Sequence, residues 1–150
     1  MSIDIKGPAA TSRRPVTIEK ILVAYDASEP SDRALDLAIQ LAKSFSGSVA
    51  ILSVVPQRPG RAGSDPWDDT ELHRSELAAA HAVLRDRDIE ARFILKTGEV
   101  AATIERAIVE GGFDTVVLGS RGLGWAARAL QGSVSEHVAT HSRATVIVTH

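Results

Sequence analysis

The residues best suited to do chemistry are glycines and serines grouped around one predicted loop. Gly119 and Gly122 are followed, after nine intervening residues, by Gly132 and Ser133, between a predicted strand and a predicted helix. Glycine permits a positive φ and lacks the Cβ that would keep a phosphate away from the backbone. The first N–H groups of a helix attract anions. The spacing therefore predicts a phosphate-binding loop from Gly119 to Ser133.

Polar side chains near the glycines would complete such a loop. Ser133 and Ser135 bring hydroxyl donors, and Arg121 or Arg128 can neutralise phosphate charge at the rim. The alternative is structural, with glycines that only shape a turn and begin the last helix. We favour phosphate binding because the spacing is specific and lies directly between a strand and a helix.

The elements that position this loop follow from alternating strand and helix patterns. Helical spacing of apolar residues predicts a first helix capped by Ser31 or Asp32. A second helix is predicted from about Glu71 to Arg87, with Thr70 as its cap. Short apolar runs predict strands at 18–25, 48–55, 89–96, 114–118 and 144–149. The alternating pattern at 89–96 is typical of a more exposed strand at a sheet edge.

Strands that alternate with helices predict one α/β domain with a parallel sheet. Right-handed crossovers leave few arrangements, and we predict a Rossmann-like, doubly wound, five-stranded sheet of order 3-2-1-4-5 with helices on both faces. This order places a ligand crevice at the carboxyl ends of strands one and four. The segments that follow them, Asp26–Ser28 and Gly119–Gly122, are the two most distinctive loops of the sequence.

Composition excludes several other classes of function. The 150 residues are 44% hydrophobic with a net charge of −2, so there is no strong field to collect nucleic acid or an anionic membrane. The absence of cysteine excludes disulfides, thiolate metal sites and cysteine nucleophiles. No apolar run approaches the ~18 residues that span a bilayer, and we expect a cytoplasmic protein. Residues 1–16 lack periodicity and predict a flexible leader before the domain at 17–150.

From Ile21 to Thr149 the sequence resembles the universal stress protein family. The resemblance rests on three parts: Ile-Leu-Val-Ala-Tyr-Asp-Ala-Ser at 21–28, the glycine spacing, and Gly-Ser-Val-Ser-Glu-His-Val at 132–138. The ATP-binding branch of the family carries this glycine spacing. The resemblance therefore implies ATP binding, with Mg²⁺ bound through the phosphates.

Positions carried over from the family define the expected nucleotide site. Asp26 can bond a ribose hydroxyl or the adenine amino group or help hold Mg²⁺, and the alternative is a loop-capping role. Ala27 departs from the family, in which glycine commonly stands between the Asp and the Ser. The residues expected around base, ribose and phosphates are Ala24, Tyr25, Asp26, Val54, Leu118, Gly119, Arg121, Gly122, Gly132, Ser133, Val134 and Ser135.

The resemblance also implies a homodimer paired through the last strand, Thr145–Thr149, whose Val-Ile-Val would otherwise be an exposed edge. Arg143–Thr145 departs from the family, in which many members have Cys-Pro. No Ser, His and acid set is placed as a nucleophile with its base. We therefore expect a nucleotide-dependent module of the stress response with at most slow ATP hydrolysis. The alternative function is a nucleotide-free dimeric scaffold.

Three other motifs carry weaker predictions. Gly122–Ala127 matches the dinucleotide pattern Gly-x-Gly-x-x-Ala, but it follows the fourth strand and lacks the acidic residue that NAD binding requires. His137 and His141 have the spacing of zinc ligands without a third ligand, which favours a plain helix surface. Asp65, Asp68 and Asp69 lack the spacing of a calcium loop and predict a solvated acidic loop.

Overall fold

The computed structural model describes residues 2–3, 7, 15–57, 66–120 and 134–150. In these ranges five strands alternate with four helices in the predicted order. The strands are β1 (Lys20–Ala24), β2 (Ser48–Pro56), β3 (Ala91–Gly98), β4 (Thr115–Gly119) and β5 (Thr145–Thr149). The helices are α1 (Glu29–Phe45), α2 (Pro66–Asp86), α3 (Val100–Gly111) and α4 (Val134–His141).

All five strands pair in parallel in the order β3-β2-β1-β4-β5. The α/β fold and the strand order are therefore confirmed, and β3 lies at an edge as predicted. Leu22 in β1 lies opposite Ala50 of β2 and Val116 of β4. The strand that follows β1 along the chain, β2, pairs with one edge of β1, whereas β4 pairs with the other edge. The strand order therefore reverses between β1 and β4.

Alternate side chains of the sheet enter two separate cores. On one face, helices α1 and α2 cover Ile21, Val23 and Ile51. On the other face, α3 and α4 cover Leu22 and Val116, among others. Burial on both faces is what the continuous apolar runs of parallel strands require. None of the helices in the described ranges is long and apolar enough to cross a membrane.

The first helix begins earlier than the sequence predicts. Its N-cap is Ser28, not Ser31 or Asp32. The Ser28 hydroxyl accepts a hydrogen bond from the backbone N–H of Ser31 at 3.3 Å. All three residues are of types that cap helices well, and Pro30 is tolerated in a first turn. Local sequence therefore could not distinguish the three candidates.

The second helix also begins earlier, at Pro66 instead of after a Thr70 cap. Proline suits this position because the first N–H groups of a helix need no intrahelical partner. Asp68 and Asp69 are consequently helical, which corrects the predicted acidic loop, and Asp65 lies outside the described residues. The strand boundaries agree with the predicted ones to within two residues.

Candidate functional site

The loop between β1 and α1 lies at the carboxyl edge of the sheet, where the strand order reverses. The backbone N–H of Tyr25 still pairs with the carbonyl of Leu52 in β2, at 2.9 Å. Asp26 follows and is only 6% exposed. Its Oδ1 accepts hydrogen bonds from the backbone N–H of Ser28, at 3.0 Å, and from the Ser28 hydroxyl. Asp26 therefore caps its own loop.

The second carboxylate oxygen of Asp26 has a different environment. Oδ2 is buried and has no hydrogen-bond partner within the described ranges. Burying a carboxylate oxygen without a partner is costly. Such an oxygen fits a hydrogen-bond donor brought by a ligand, such as a ribose hydroxyl or an amino group. One carboxylate can thus shape the loop through Oδ1 and accept from a ligand through Oδ2.

The residue between Asp26 and Ser28 has a left-handed backbone. Ala27 has φ 59°, and this turn brings the N–H and hydroxyl of Ser28 back to the Asp26 carboxylate. A residue with a Cβ is disfavoured in this conformation by about 1–2 kcal/mol, whereas glycine is not. The geometry explains why glycine suits this position and shows that the alanine of this chain adopts the same turn under strain.

Gly119, at the end of β4, lies against the start of α1. A Cβ on Gly119 would be 2.7 Å from the Cβ of Pro30 and 2.9 Å from its carbonyl carbon. The hydroxyl of Thr149 in β5 donates to the carbonyl of Pro30 at 2.7 Å. Three elements therefore meet at this point, and they approach this closely because Gly119 has no side chain. This packing role is independent of any contact with a phosphate.

The apolar residues of the predicted site form a buried group. Ala24, Val54 and Leu118 come from the adjacent strands β1, β2 and β4, and each is 0% exposed in the core on the α3 and α4 face. Tyr25 points to the opposite face, where its hydroxyl donates to Asp32 at 2.8 Å. Burial, followed by that hydrogen bond, raises the pKa of Tyr25. The sheet thus separates the Tyr25 side chain from the other three.

The predicted phosphate loop is described only at its two ends. Its first end is held by Ser120, whose N–H donates to the carbonyl of Thr149 at 2.7 Å. At its second end Ser135, in the first turn of α4, donates from its hydroxyl to the Ser120 carbonyl at 3.4 Å. This contact brings the two ends of the loop together beside Gly119. Some residues predicted to belong to this loop lie outside the described ranges. They are Arg121, Gly122, Arg128, Gly132 and Ser133, together with the Gly122–Ala127 pattern.

A buried polar cluster on the α1 and α2 face was missed by the sequence analysis. His73 in α2 is 7% exposed, and its Nδ1 lies 2.7 Å from Oγ of Ser53 in β2 and 3.1 Å from Oε2 of Glu76. Burial, followed by the charge of Asp26, raises the pKa of Glu76 to about 7. The three-residue spacing of His73 and Glu76 could have indicated that their side chains are neighbours on one helix. It does not reveal that His73 contacts a serine of β2.

Ser53, His73 and Glu76 are the residue types of a catalytic triad, but their geometry is different. A triad needs the serine on one ring nitrogen of the histidine and the acid on the other. Here both partners contact Nδ1, and Ser53 is 0% exposed. The cluster therefore presents no nucleophile to a substrate.

The histidine pair of α4 lies on the helix surface. The rings of His137 and His141 stack with centroids 4.2 Å apart. Nδ1 of His141 lies 2.9 Å from the carbonyl of His137, and because a carbonyl accepts, this nitrogen carries the proton. In the part of the chain that the structure describes, no group of three or more metal-binding side chains is suited to hold an ion.

Similarity to known proteins agrees with this fold. Residues 17–150 match the universal stress protein family. The chain belongs to this family. The universal stress protein YxiE of Bacillus subtilis is 30% identical over 143 residues, which cover 86% of this chain and 97% of that protein.

Solved structures of the family share the fold. The universal stress protein UspA from Lactobacillus plantarum has a TM-score of 0.66 at 25% identity, covering 89% of this chain and 98% of its own. A universal stress protein in complex with cAMP has a TM-score of 0.70 at 22% identity and covers 88% of this chain and 97% of its own. The Arabidopsis thaliana family protein At3g01520, with AMP bound, has a TM-score of 0.66 at 19% identity. The match covers 87% of this chain and 90% of that protein. For the cAMP complex at 22% identity and At3g01520 at 19% identity, the likeness shows the fold alone.

Proposed function

We propose that this universal stress protein binds an adenine nucleotide, ATP in particular, at the carboxyl ends of β1 and β4. The observation that carries the proposal is the Asp26 carboxylate, buried where the strand order reverses, with Oδ2 lacking a partner within the described ranges. A ribose hydroxyl or the adenine amino group would supply the missing donor. The family and the nucleotides bound by the cAMP and AMP complexes support the same ligand class.

The predicted site residues divide into three groups in this proposal. Ala24, Val54 and Leu118, with the backbone around Tyr25, would form the wall behind the base. Asp26 would accept from the ribose or the base. The phosphates, with Mg²⁺ bound through them, would lie in the loop that follows Gly119; its expected residues are Arg121, Gly122, Gly132, Ser133, Val134 and Ser135. The hydrogen bond between Ser135 and Ser120 joins the two described ends of this loop.

We propose a regulatory role in preference to rapid turnover. The cluster with triad-like residue types, Ser53 with His73 and Glu76, presents no nucleophile, and a bound water would give at most slow ATP hydrolysis. A nucleotide that binds one state of the loop or dimer more tightly shifts the population toward that state. A partner that recognises this state would then respond to the nucleotide.

The proposed assembly is a homodimer through β5. Its residues Thr145–Thr149 are only half-buried in the single chain, and β5 is an edge strand with apolar side chains at its centre. The other edge, β3, carries Arg92 and Lys96 exposed to solvent, which is how natural sheets discourage pairing at an edge. Pairing through β5 would cover the less protected edge.

Calorimetric titration with ATP and Mg²⁺ tests the nucleotide proposal. The decisive variant is Asp26→Asn, which keeps an acceptor for Ser28 and replaces the second oxygen with an amide N–H₂ that cannot accept. We expect about ten-fold weaker binding, as for loss of a charge-assisted hydrogen bond. Asp36→Asn, which removes the same charge from the exposed face of α1, should bind as the wild type does.

A second variant tests the loop. Gly132→Val places a branched side chain in the predicted phosphate loop and should abolish binding while the protein stays folded. If the folded wild-type protein neither binds ATP nor retains a nucleotide through purification, the proposal is wrong and the nucleotide-free scaffold remains.

A further inference from the structure

The buried polar cluster of α2 lies beside the proposed nucleotide site. Ala24 in β1 is paired with Leu52 in β2, so Ser53 and Tyr25 follow side by side at the carboxyl edge of the sheet. His73 contacts Ser53 there, and one turn along α2 the side chain of Glu76 is only 15% exposed. The next residue after Tyr25 is Asp26, the carboxylate proposed to accept from the nucleotide.

The contact between Glu76 and His73 leaves the glutamate poorly compensated. Glu76 Oε2 lies 3.1 Å from Nδ1 of His73, yet this buried oxygen has no aligned hydrogen bond within the described ranges. The same nitrogen is also shared with Ser53. An ionised carboxylate that is buried without aligned donors is unfavourable. The glutamate therefore tends to keep its proton, in agreement with its pKa of about 7.

The other groups near Glu76 in the described ranges do not offset this tendency. On the α2-facing side, β3 contributes the apolar residues Phe93 and Leu95, so no cation comes from that strand. From β1 comes Tyr25, whose hydroxyl donates to Asp32 of α1. Among the described residues, the titratable groups that face Glu76 are His73, Asp26 and Tyr25. Asp26 acts on Glu76 through its negative charge.

We propose that Glu76 couples nucleotide binding to pH: the protein binds a phosphate-bearing nucleotide tightly while Glu76 holds its proton and more weakly when Glu76 is ionised. This inference rests on the proposed nucleotide site. Ionised Glu76 adds a second negative charge near Asp26, at the same carboxyl edge of the sheet as the proposed nucleotide site. Two like charges within ~10 Å in a partly buried site repel by an energy that weakens binding about five-fold.

The coupling is reciprocal, because linked binding equilibria must affect each other equally. A ligand that carries negative charge raises the proton affinity of Glu76, so binding near about pH 7 takes up a fraction of a proton. Adenosine has no phosphate and should bind without this uptake. The inference thus concerns the anionic part of the ligand, not the base.

The experiment compares ATP affinity in the presence of Mg²⁺ at about pH 6 and about pH 8. The variant Glu76→Gln resembles the protonated glutamate in shape and charge. Its matched control is Glu71→Gln, earlier on α2, with a side chain 64% exposed beside Arg74. Because the protons of ATP itself titrate equally in all three proteins, the difference between them isolates Glu76.

We expect the wild type and Glu71→Gln to lose about three-fold more affinity than Glu76→Gln between the two pH values, since neither pH gives the full five-fold effect. Calorimetry in buffers of different ionisation enthalpy should show proton uptake in the same two proteins and none in Glu76→Gln. If Glu76→Gln keeps the full pH dependence and the proton uptake, this inference is wrong while the nucleotide site stands. If none of the folded proteins binds ATP at either pH, the proposed function fails as well.

Discussion

One residue of the loop between β1 and α1 carries measurable strain. Ala27 adopts φ 59°, which is unfavourable for a residue with a Cβ. Ala27→Gly should relieve this strain, and after the greater entropy of glycine in the unfolded chain is subtracted, we expect a gain of about 0.5–1 kcal/mol in the free energy of unfolding. Urea denaturation of the variant and the wild type measures this difference in the free energy of unfolding.

The matched control for this substitution is Ala79→Gly, at an exposed position within α2. The same chemical change there should lower stability by about 1 kcal/mol, the usual penalty of glycine in a helix. Equal losses in both variants would show that Ala27 is not strained.

Glu76 should also make the stability of the protein depend on pH. Its pKa is about 7 in the folded protein and 4.5 in the unfolded chain. Between these values the unfolded chain releases a proton that the folded protein keeps, so stability is highest below the lower value and falls as pH rises to the upper one. We expect Glu76→Gln to be more stable than the wild type by about 1–2 kcal/mol at about pH 8, with partial solvent access reducing the full effect.

Urea denaturation at about pH 4.5 and about pH 8 checks this, because the two proteins should be close in stability at the lower pH. The exposed Glu71→Gln variant should show no such divergence. A constant offset between Glu76→Gln and the wild type across this range would contradict the raised pKa.

At the scale of elements, one carboxylate joins the starts of the two central strands. Asp114, directly before β4, accepts hydrogen bonds from the backbone N–H groups of Glu19 and Lys20 at the start of β1, each at 3.0 Å. Without it these N–H groups lose their partner. We expect Asp114→Ala to lower the free energy of unfolding by about 0.5–1.5 kcal/mol, because water can replace the carboxylate at these exposed N–H groups.

Asp114→Asn tests whether the effect comes from the acceptor or from the charge. Both N–H groups bond to Oδ2, and an asparagine oxygen in that place would keep both hydrogen bonds. We expect its loss of stability in urea denaturation to be less than half that of Asp114→Ala. Equal losses would show that the charge, and not the hydrogen bonds, matters.

At the scale of the whole molecule, the two sheet edges should behave differently. The N–H of Thr145 donates to the Asp114 carbonyl, and Ser120 donates to the Thr149 carbonyl. Alternate residues of a strand point their backbone groups to opposite sides, so the N–H of Val148 points to the open edge. Val148→Pro removes this outward donor and should convert the proposed dimer to a monomer, as light scattering after size exclusion would report.

The control is Thr97→Pro in β3. Because Gly98 directs its carbonyl inward to Gln57, the N–H of Thr97 points outward from the opposite edge. The same substitution there should leave the dimer intact, since proline is tolerated at a strand edge. A wild-type protein that is monomeric at high concentration, or a Val148→Pro variant that stays dimeric, would rule out pairing through β5.

The sequence by itself determined the number, type and order of the elements in the described ranges. Apolar runs such as 48–55 and the helical spacing after them are properties of neighbouring residues, so they can be recognised without any knowledge of the fold. The parallel sheet and its reversal between β1 and β4 followed from the alternation of those elements. The place of Asp26 at the end of β1 was predictable for the same reason.

Tertiary structure alone decided which groups meet across the chain. Ser28 is the N-cap of α1 because the Asp26 loop presents it to Ser31, although the neighbouring candidates are equally suitable by type. His73 meets Ser53 from twenty residues away, and Gly119 must be small because Pro30 packs against it. Such contacts depend on how separate elements pack, and burial and charge at those contacts, not residue type, set the proton affinity of Glu76.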